Sequence, residues 1–117
     1  MDKHMITRTP EEVRNLLTAA LRSGAYQQGR LVLKFEHKGS AAYCCLGVMY
    51  DLARLDGGKE WRELGGARPN DALPPQCFRE FMKGHMPDFS TLVRWNDSGV
   101  SFEEIADRIE KFAKDKK

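Results

Sequence analysis

No run of apolar residues in this 117-residue chain approaches the roughly 20 needed to span a bilayer, so no membrane-spanning helix is expected. No basic segment followed by an apolar stretch opens it, and no secretory leader is expected either. Cysteine is scarce. The three present are an odd number with two of them adjacent, Cys44 and Cys45, which makes a poor disulfide framework and reads as free thiols in a reducing, cytoplasmic compartment. An excess of charge of one sign is also lacking: 19 basic and 17 acidic residues leave a formal +2. Long-range attraction to nucleic acid or to anionic lipid is therefore weak, and only the tail from Lys111 to Lys117 is locally basic. Internal repeats and low-complexity segments are missing as well.

What is present describes one globular domain spanning 1–117. Apolar residues at 41% and charged residues at 31% are those of a folded chain. A domain of this length buries roughly two-thirds of its unfolded surface, enough to fold without a metal or a disulfide. Met1 to His4 precede a second methionine, Met5, and read as a segment added to the chain or as the sign of an alternative start.

Periodicity gives the order of elements. Thr9 is placed to cap a helix, Pro10 suits its first position, and Glu12 completes a capping box. Val13, Leu16, Leu17, Ala20 and Leu21 follow as one apolar stripe, and Gly24 is the stop. From Arg30 to His37 the period changes to two, with Leu31, Leu33 and Phe35 alternating with Val32, Lys34 and Glu36; a strand with those three on one buried face is predicted. Lys38-Gly39-Ser40 turns the chain, and Ala41 to Cys45 returns antiparallel. Leu46 to Leu55 reads as a short, largely buried helix. Residues 56 to 74, rich in Gly, Pro, Asn and charge, read as a long surface excursion, more mobile than its surroundings and pinned by Trp61. A helix from Pro75 turns Phe78, Phe81 and Met82 inward, and another follows Pro87-Asp88 with Phe89, Leu92 and Val93. Asn96-Asp97-Ser98-Gly99 ends it. Ser101 and Glu104 form a second capping box for a last helix carrying Phe102, Ile105, Ala106, Ile109 and Phe112. The expected class is α+β: a small antiparallel hairpin packed against several short helices.

Several constellations suggest chemistry. Cys44-Cys45 sits where a strand feeds a helix, a place where free peptide N–H groups favour thiolate. With His85 and then Asn96 or Asp97 downstream, the order imitates a cysteine peptidase, although order without geometry does not make a triad. Set against it is the tendency of free cysteine to be buried packing material. A zinc site built on Cys44, Cys45 and Cys77 fits by count but not by spacing. Glu11-Glu12 and Glu103-Glu104 are accounted for by the dipoles of the helices they open. The stretch from Leu92 to Phe112 resembles the start of a helix-turn-helix, but its helix surface is acidic at Glu103, Glu104, Asp107 and Glu110, which would repel phosphate. Tyr26, Tyr43, Tyr50, Trp61 and Trp95 are candidate exposed aromatics. Trp95 stands beside Arg94, Asn96 and Asp97, so an indole, a guanidinium, an amide and a carboxylate meet at one helix end, the equipment of a ligand or partner site. The competing reading puts Trp95 in the core and makes the turn a connector. Arg30, Lys34 and Arg94 would form an anion pocket if the fold brought them together.

Three stretches carry a resemblance: Leu21-Arg22-Ser23-Gly24-Ala25-Tyr26-Gln27-Gln28-Gly29, Tyr43-Cys44-Cys45-Leu46-Gly47-Val48, and Asn96 through Asp107. With Leu73-Pro74-Pro75 between them, they resemble a group of small phage and prophage proteins showing the signatures "YCCLGV" and "NDSGxSFEEIAD" in the same order. The likeness covers most of the chain. Trp95 departs from it, standing where a small aliphatic residue is expected. No motif of the group is tied to a reaction, so no catalytic residue, metal ligand or cofactor carries over. The resemblance implies a non-enzymatic accessory protein in the host cytoplasm. It would act by binding, either inhibiting a host defence protein or sequestering a small signalling nucleotide. For such a binder the residues themselves point to Arg94, Trp95, Asn96 and Asp97 as contacts, with Trp61 in the long excursion as the next candidate. An accessory nucleic-acid-binding protein is the second reading and a thiol enzyme the third. A binder needs an exposed apolar or aromatic patch, which a homo-oligomer interface could also supply.

Overall fold

The computed structural model describes residues 8–57, 74 and 76–115. Pro10–Ser23 form α1, Gln27–Gln28 β1, Lys34–His37 β2, Ser40–Tyr43 β3, Cys45–Gly57 α2, Gln76–Met82 α3, Phe89–Asp97 α4 and Phe102–Asp115 α5. The fold is α+β, as the periodicity predicts. Trp61 and nearly all of the predicted excursion at 56 to 74 lie outside the described residues. Among the described residues, no helix is long and apolar enough to cross a membrane.

Local chemistry sets both ends of α1 and the start of α5. Thr9 Oγ1 accepts from the Glu12 N–H at 3.2 Å while Glu12 returns the bond to the Thr9 N–H at 2.9 Å, so the capping box of α1 is complete. Gly24 ends the helix with φ 78°. Ser101 Oγ accepts from the Glu104 N–H at the start of α5, whereas the Glu104 carboxylate turns along the helix to Arg108, 3.3 Å away. Apolar stripes then bring the helices together, α1 lying against α5 and α2, and α2 against α4. Leu17, Leu33, Leu46, Met49, Leu92, Ile105 and Ile109 are fully buried in one cluster. Removing a side chain of this kind from water contributes about 1.5–3 kcal/mol. Outside the core, the Arg22 guanidinium forks onto Glu110 at 2.8 Å and Asp107 at 2.7 Å, tying the end of α1 to α5. That hydrogen bond holds the Glu110 carboxyl below its usual range.

The sheet has the order β1-β3-β2. Antiparallel β2 and β3 form the expected hairpin, with His37 opposite Ser40 across a two-residue turn. Lys38 (φ 51°) and Gly39 (φ 82°) both occupy the left-handed region, as a tight primed turn requires. Two features differ from expectation. A parallel strand, β1, joins the other edge of β3. The apolar face predicted for Leu31, Leu33 and Phe35 is buried only at Leu33; Leu31 is 73% exposed and Phe35 57%. The alternation breaks at Leu31, whose φ of 75° takes the backbone out of strand geometry.

One close approach fixes the hairpin on the helices. A Cβ on Gly47, in the first turns of α2, would fall on the carbonyl oxygen of Leu33. Helix propensity alone makes Gly47→Ala stabilising by about 1 kcal/mol. The steric block reverses that sign. Gly47→Ala is expected to lose about 1–3 kcal/mol of stability in urea titrations.

Candidate functional site

The "QG", "YCC" and "NDSG" stretches, far apart in sequence, converge on one buried polar cluster. Asn96, in the last turn of α4, has no exposed surface. Its Oδ1 accepts from the Cys45 N–H that opens α2, at 3.2 Å, and from Gln28 Nε2 at 3.0 Å. Its Nδ2 donates to the Gly29 carbonyl at 2.7 Å and to Asp97 Oδ1 at 3.4 Å. An amide has two acceptor sites and two N–H donors, so all four are in use. Gln28 extends the cluster: its Nε2 also reaches the Val100 carbonyl at 2.8 Å, and its Oε1 accepts from the Phe102 N–H at 3.2 Å. Thus α2 takes an N-terminal capping oxygen from a side chain distant in sequence, and α5 takes one from Gln28 beside that of its own Ser101.

This corrects the expectation for Asn96 as a contact residue. It faces inward and keeps no donor or acceptor for a ligand. Asp97 is also engaged, its Oδ1 accepting from the Leu31 N–H at 2.9 Å, which holds Leu31 in the left-handed conformation. Arg94 is exposed, and its carbonyl accepts from the Ser98 N–H at 3.0 Å. Lys34 is turned to Glu36 at 3.2 Å and to the Tyr43 ring, while the Arg30 guanidinium lies near Gly99. Tyr50, a candidate exposed aromatic, is buried.

Trp95 is the predicted contact residue that reaches a surface hollow. It packs on the core with part of its ring, and the Arg108 guanidinium lies 4.9 Å from the ring centroid. The hollow, about 660 Å³ between α4 and α5, also takes in Thr91, Lys111 and Phe112. A second, of about 540 Å³, lies between α3 and the start of α4 and is lined by Arg79, Glu80, Met82 and Phe89. Both share Lys83, Met86, Pro87 and Asp88. The 83–88 turn therefore walls both hollows, and each is lined by apolar residues and by charges of both signs. Nothing in the Lys-Gly-His-Met-Pro-Asp stretch announced that wall. Its only sequence signal is two apolar residues, Met86 and Pro87, inside a turn.

The two thiols belong to the interior. Cys44 is 3% exposed and Cys45 not at all. Burial pushes the Cys44 thiol up; the amides of Gly47 and Leu46 pull the other way, and burial is the larger effect. Cys45 is raised well above the ordinary value by burial, with Cys44 adding to it. Its Sγ faces the Leu92 carbonyl at 3.7 Å, while His85 pairs with Glu11 at 3.3 Å. At the helix start, the Cys45 N–H is taken by the Asn96 oxygen. Cys77 has no described side chain. Among the described residues, no three His, Cys, Asp or Glu side chains gather to hold a metal ion.

A family model described as a domain of unknown function, DUF8296, matches residues 9–82, more than half of the chain. The chain belongs to that family. No curated protein and no solved structure matches it. The DUF8296 match takes in α1, the sheet, α2 and α3, hence Gln28, Gly29, Cys44 and Cys45; Trp95, Asn96 and Asp97 follow it in α4.

Two outcomes are expected from these contacts. Asn96→Ala orphans the Cys45 N–H and the Gly29 carbonyl, each at about 1–3 kcal/mol, so urea denaturation should show a loss of about 3 kcal/mol or more, with Arg94→Ala within about 0.5 kcal/mol of the parent. Alkylation of Cys44 and Cys45 follows thiolate, so with both values raised it should stay slow through neutral pH. The sign for stability is also set. A thiol raised in the folded state gives a contribution that is complete below the unfolded value of about 8.5 and declines as pH climbs from there through the folded value. Stability should therefore fall in alkali, and Cys45→Ala should flatten that fall.

Proposed function

We propose that this protein is a binder that acts by occupancy, and that the groove beside Trp95 receives a segment of a partner protein. The observation that carries this reading is the combination in one hollow of a part-exposed indole, the apolar residues Met86, Pro87 and Phe112, and a rim of mixed sign. Tryptophan is enriched among residues that dominate binding energy. A rim of both signs favours a polypeptide over a polyanion, which requires a contiguous basic face. Rigid support matters too, because α4 is anchored at Asn96 and little ordering entropy is lost on association. The likeness to small phage and prophage proteins supports a host protein as the partner, with inhibition by occupancy as the result.

One observation favours a second reading. Lys83, Arg108 and Lys111 flank Trp95, an arrangement in which a nucleotide base would stack on the indole and its phosphates meet the cations.

Selection of a displayed random-peptide library on the protein tests the first reading. Enriched peptides should compete with one another and lose roughly tenfold or more in affinity for Thr91→Arg, a groove-filling change, at an unchanged melting temperature. Peptides that bind Thr91→Arg as well as the parent would remove the groove from consideration. Titrating Trp95 fluorescence with nucleotides in a Trp61→Phe background separates the two readings, since a saturable signal abolished by Lys111→Glu would favour the nucleotide.

A further inference from the structure

We infer that the chain presents Leu31, flanked by Arg30 and Arg94, to an acidic segment of a partner protein. None of these three residues lines the hollow beside Trp95, so the surface is separate from it. Two properties of Leu31 are at odds within the chain itself. Its φ of 75° lies in the left-handed region, where a Cβ crowds the following carbonyl and glycine, asparagine or aspartate sits more readily. Strain of this kind persists where the surroundings over-determine it. Yet Leu31 is 73% exposed, more than Leu16 or Phe35, and buries little surface to offset the strain. The conformation is enforced from α4. Asp97 Oδ1 accepts from the Leu31 N–H at 2.9 Å and from Asn96 Nδ2 at 3.4 Å, so the leucine rests on the buried amide cluster. A strained residue held rigidly at the surface marks a place of contact.

Charge indicates what the leucine meets. Arg94 and Asp97 are three residues apart, on one side of α4. Just past the helix end, the Arg30 guanidinium lies near Gly99. An arginine thus stands on either side of the carboxylate that holds Leu31. Both arginines are exposed, and among the described residues neither side chain has an ion pair or a hydrogen bond. An apolar tip between two unpaired guanidiniums fits a segment with carboxylates around apolar side chains, because the guanidinium fork matches a carboxylate. Other anionic surfaces suit the arrangement less. Phosphates gain nothing from a leucine, and a fluid bilayer gains nothing from a fixed backbone angle. A protein partner gains from both, since a contact shaped beforehand loses less freedom on association.

The role of the leucine is tested first without a partner. Leu31→Asn suits the left-handed conformation and removes little buried surface, so its urea midpoint should equal or exceed that of the parent. A clearly lower midpoint would make Leu31 a structural residue and refute the inference. Binding is then read with a displayed random-peptide library, selected on the full parent chain and counter-selected on Leu31→Asn. Surviving peptides should carry Asp or Glu around apolar residues. They should lose roughly tenfold or more in affinity for Arg30→Glu combined with Arg94→Glu, with circular dichroism checking the fold. Should that variant prove unfolded, Arg30→Gln combined with Arg94→Gln takes its place, with the same loss expected at low salt. The peptides should bind Thr91→Arg as they bind the parent, which distinguishes them from ligands of the Trp95 hollow. A selection with no survivors, survivors without acidic residues, or survivors indifferent to the arginines would overturn the inference. So would Leu31-dependent sedimentation with phosphatidylserine vesicles, which would assign the tip to a membrane surface.

Discussion

The saturated amide of Asn96 is the constraint on which the rest of this structure depends. It joins the end of α4, the start of α2 and the chain leaving β1, and through Gln28 it reaches the start of α5. Four elements are positioned by two amide side chains. A buried network of this kind stabilises only when every member is satisfied, because each orphaned group forfeits its hydration without return. The Asn96 amide meets that condition, and the pairing explains why glutamine and asparagine are both required. Each presents an oxygen to a helix N-terminus while its nitrogen answers a backbone carbonyl, a double task that a carboxylate cannot perform.

Those oxygens also determine what the Cys44-Cys45 junction does. A strand running into a helix, with a thiol at the boundary, has the ingredients for a reactive thiolate. Two facts about the surroundings turn the outcome. The helix N–H at Cys45 is spent on Asn96, and the core closes over both sulfurs. Desolvation of a charge outweighs a partial helix dipole when water is excluded, so the junction packs. Surface chemistry is left to α4 and α5, where Trp95 and Arg108 stack at the rim of the groove.

The sequence made α1 and α5 legible because capping residues and period agreed, and the hairpin because an alternating run met a Lys-Gly-Ser turn. It concealed β1. Two glutamines have no alternation to display, and their pairing with β3 is a product of tertiary packing. The inward course of Asn96 was harder still, since Asn-Asp-Ser-Gly is turn chemistry and encourages an exposed reading. A signal did exist. Phe89, Leu92, Val93 and Asn96 fall at i, i+3, i+4 and i+7, so the asparagine occupies a place in the apolar stripe. A polar residue at such a place must be satisfied from inside. The failure of the apolar face at Leu31 had no comparable sign, because the Asp97 bond that bends the backbone comes from 66 residues away.

That separation has a consequence for how the chain acquires its shape during synthesis. Gln28 and Asn96 are 68 residues apart, and α1 finds its main partner in α5. Contacts this distant are made only after the intervening chain has closed on itself, which slows their formation. A nascent chain still short of residue 96 has its first helix, hairpin and second helix available, but the oxygen that caps α2 has not been made. The early elements must therefore wait, incompletely packed, until α4 and α5 have been made. Folding on this account is a single late event, and the family-matched region from 9 to 82 is the larger part of a folding unit without being one itself.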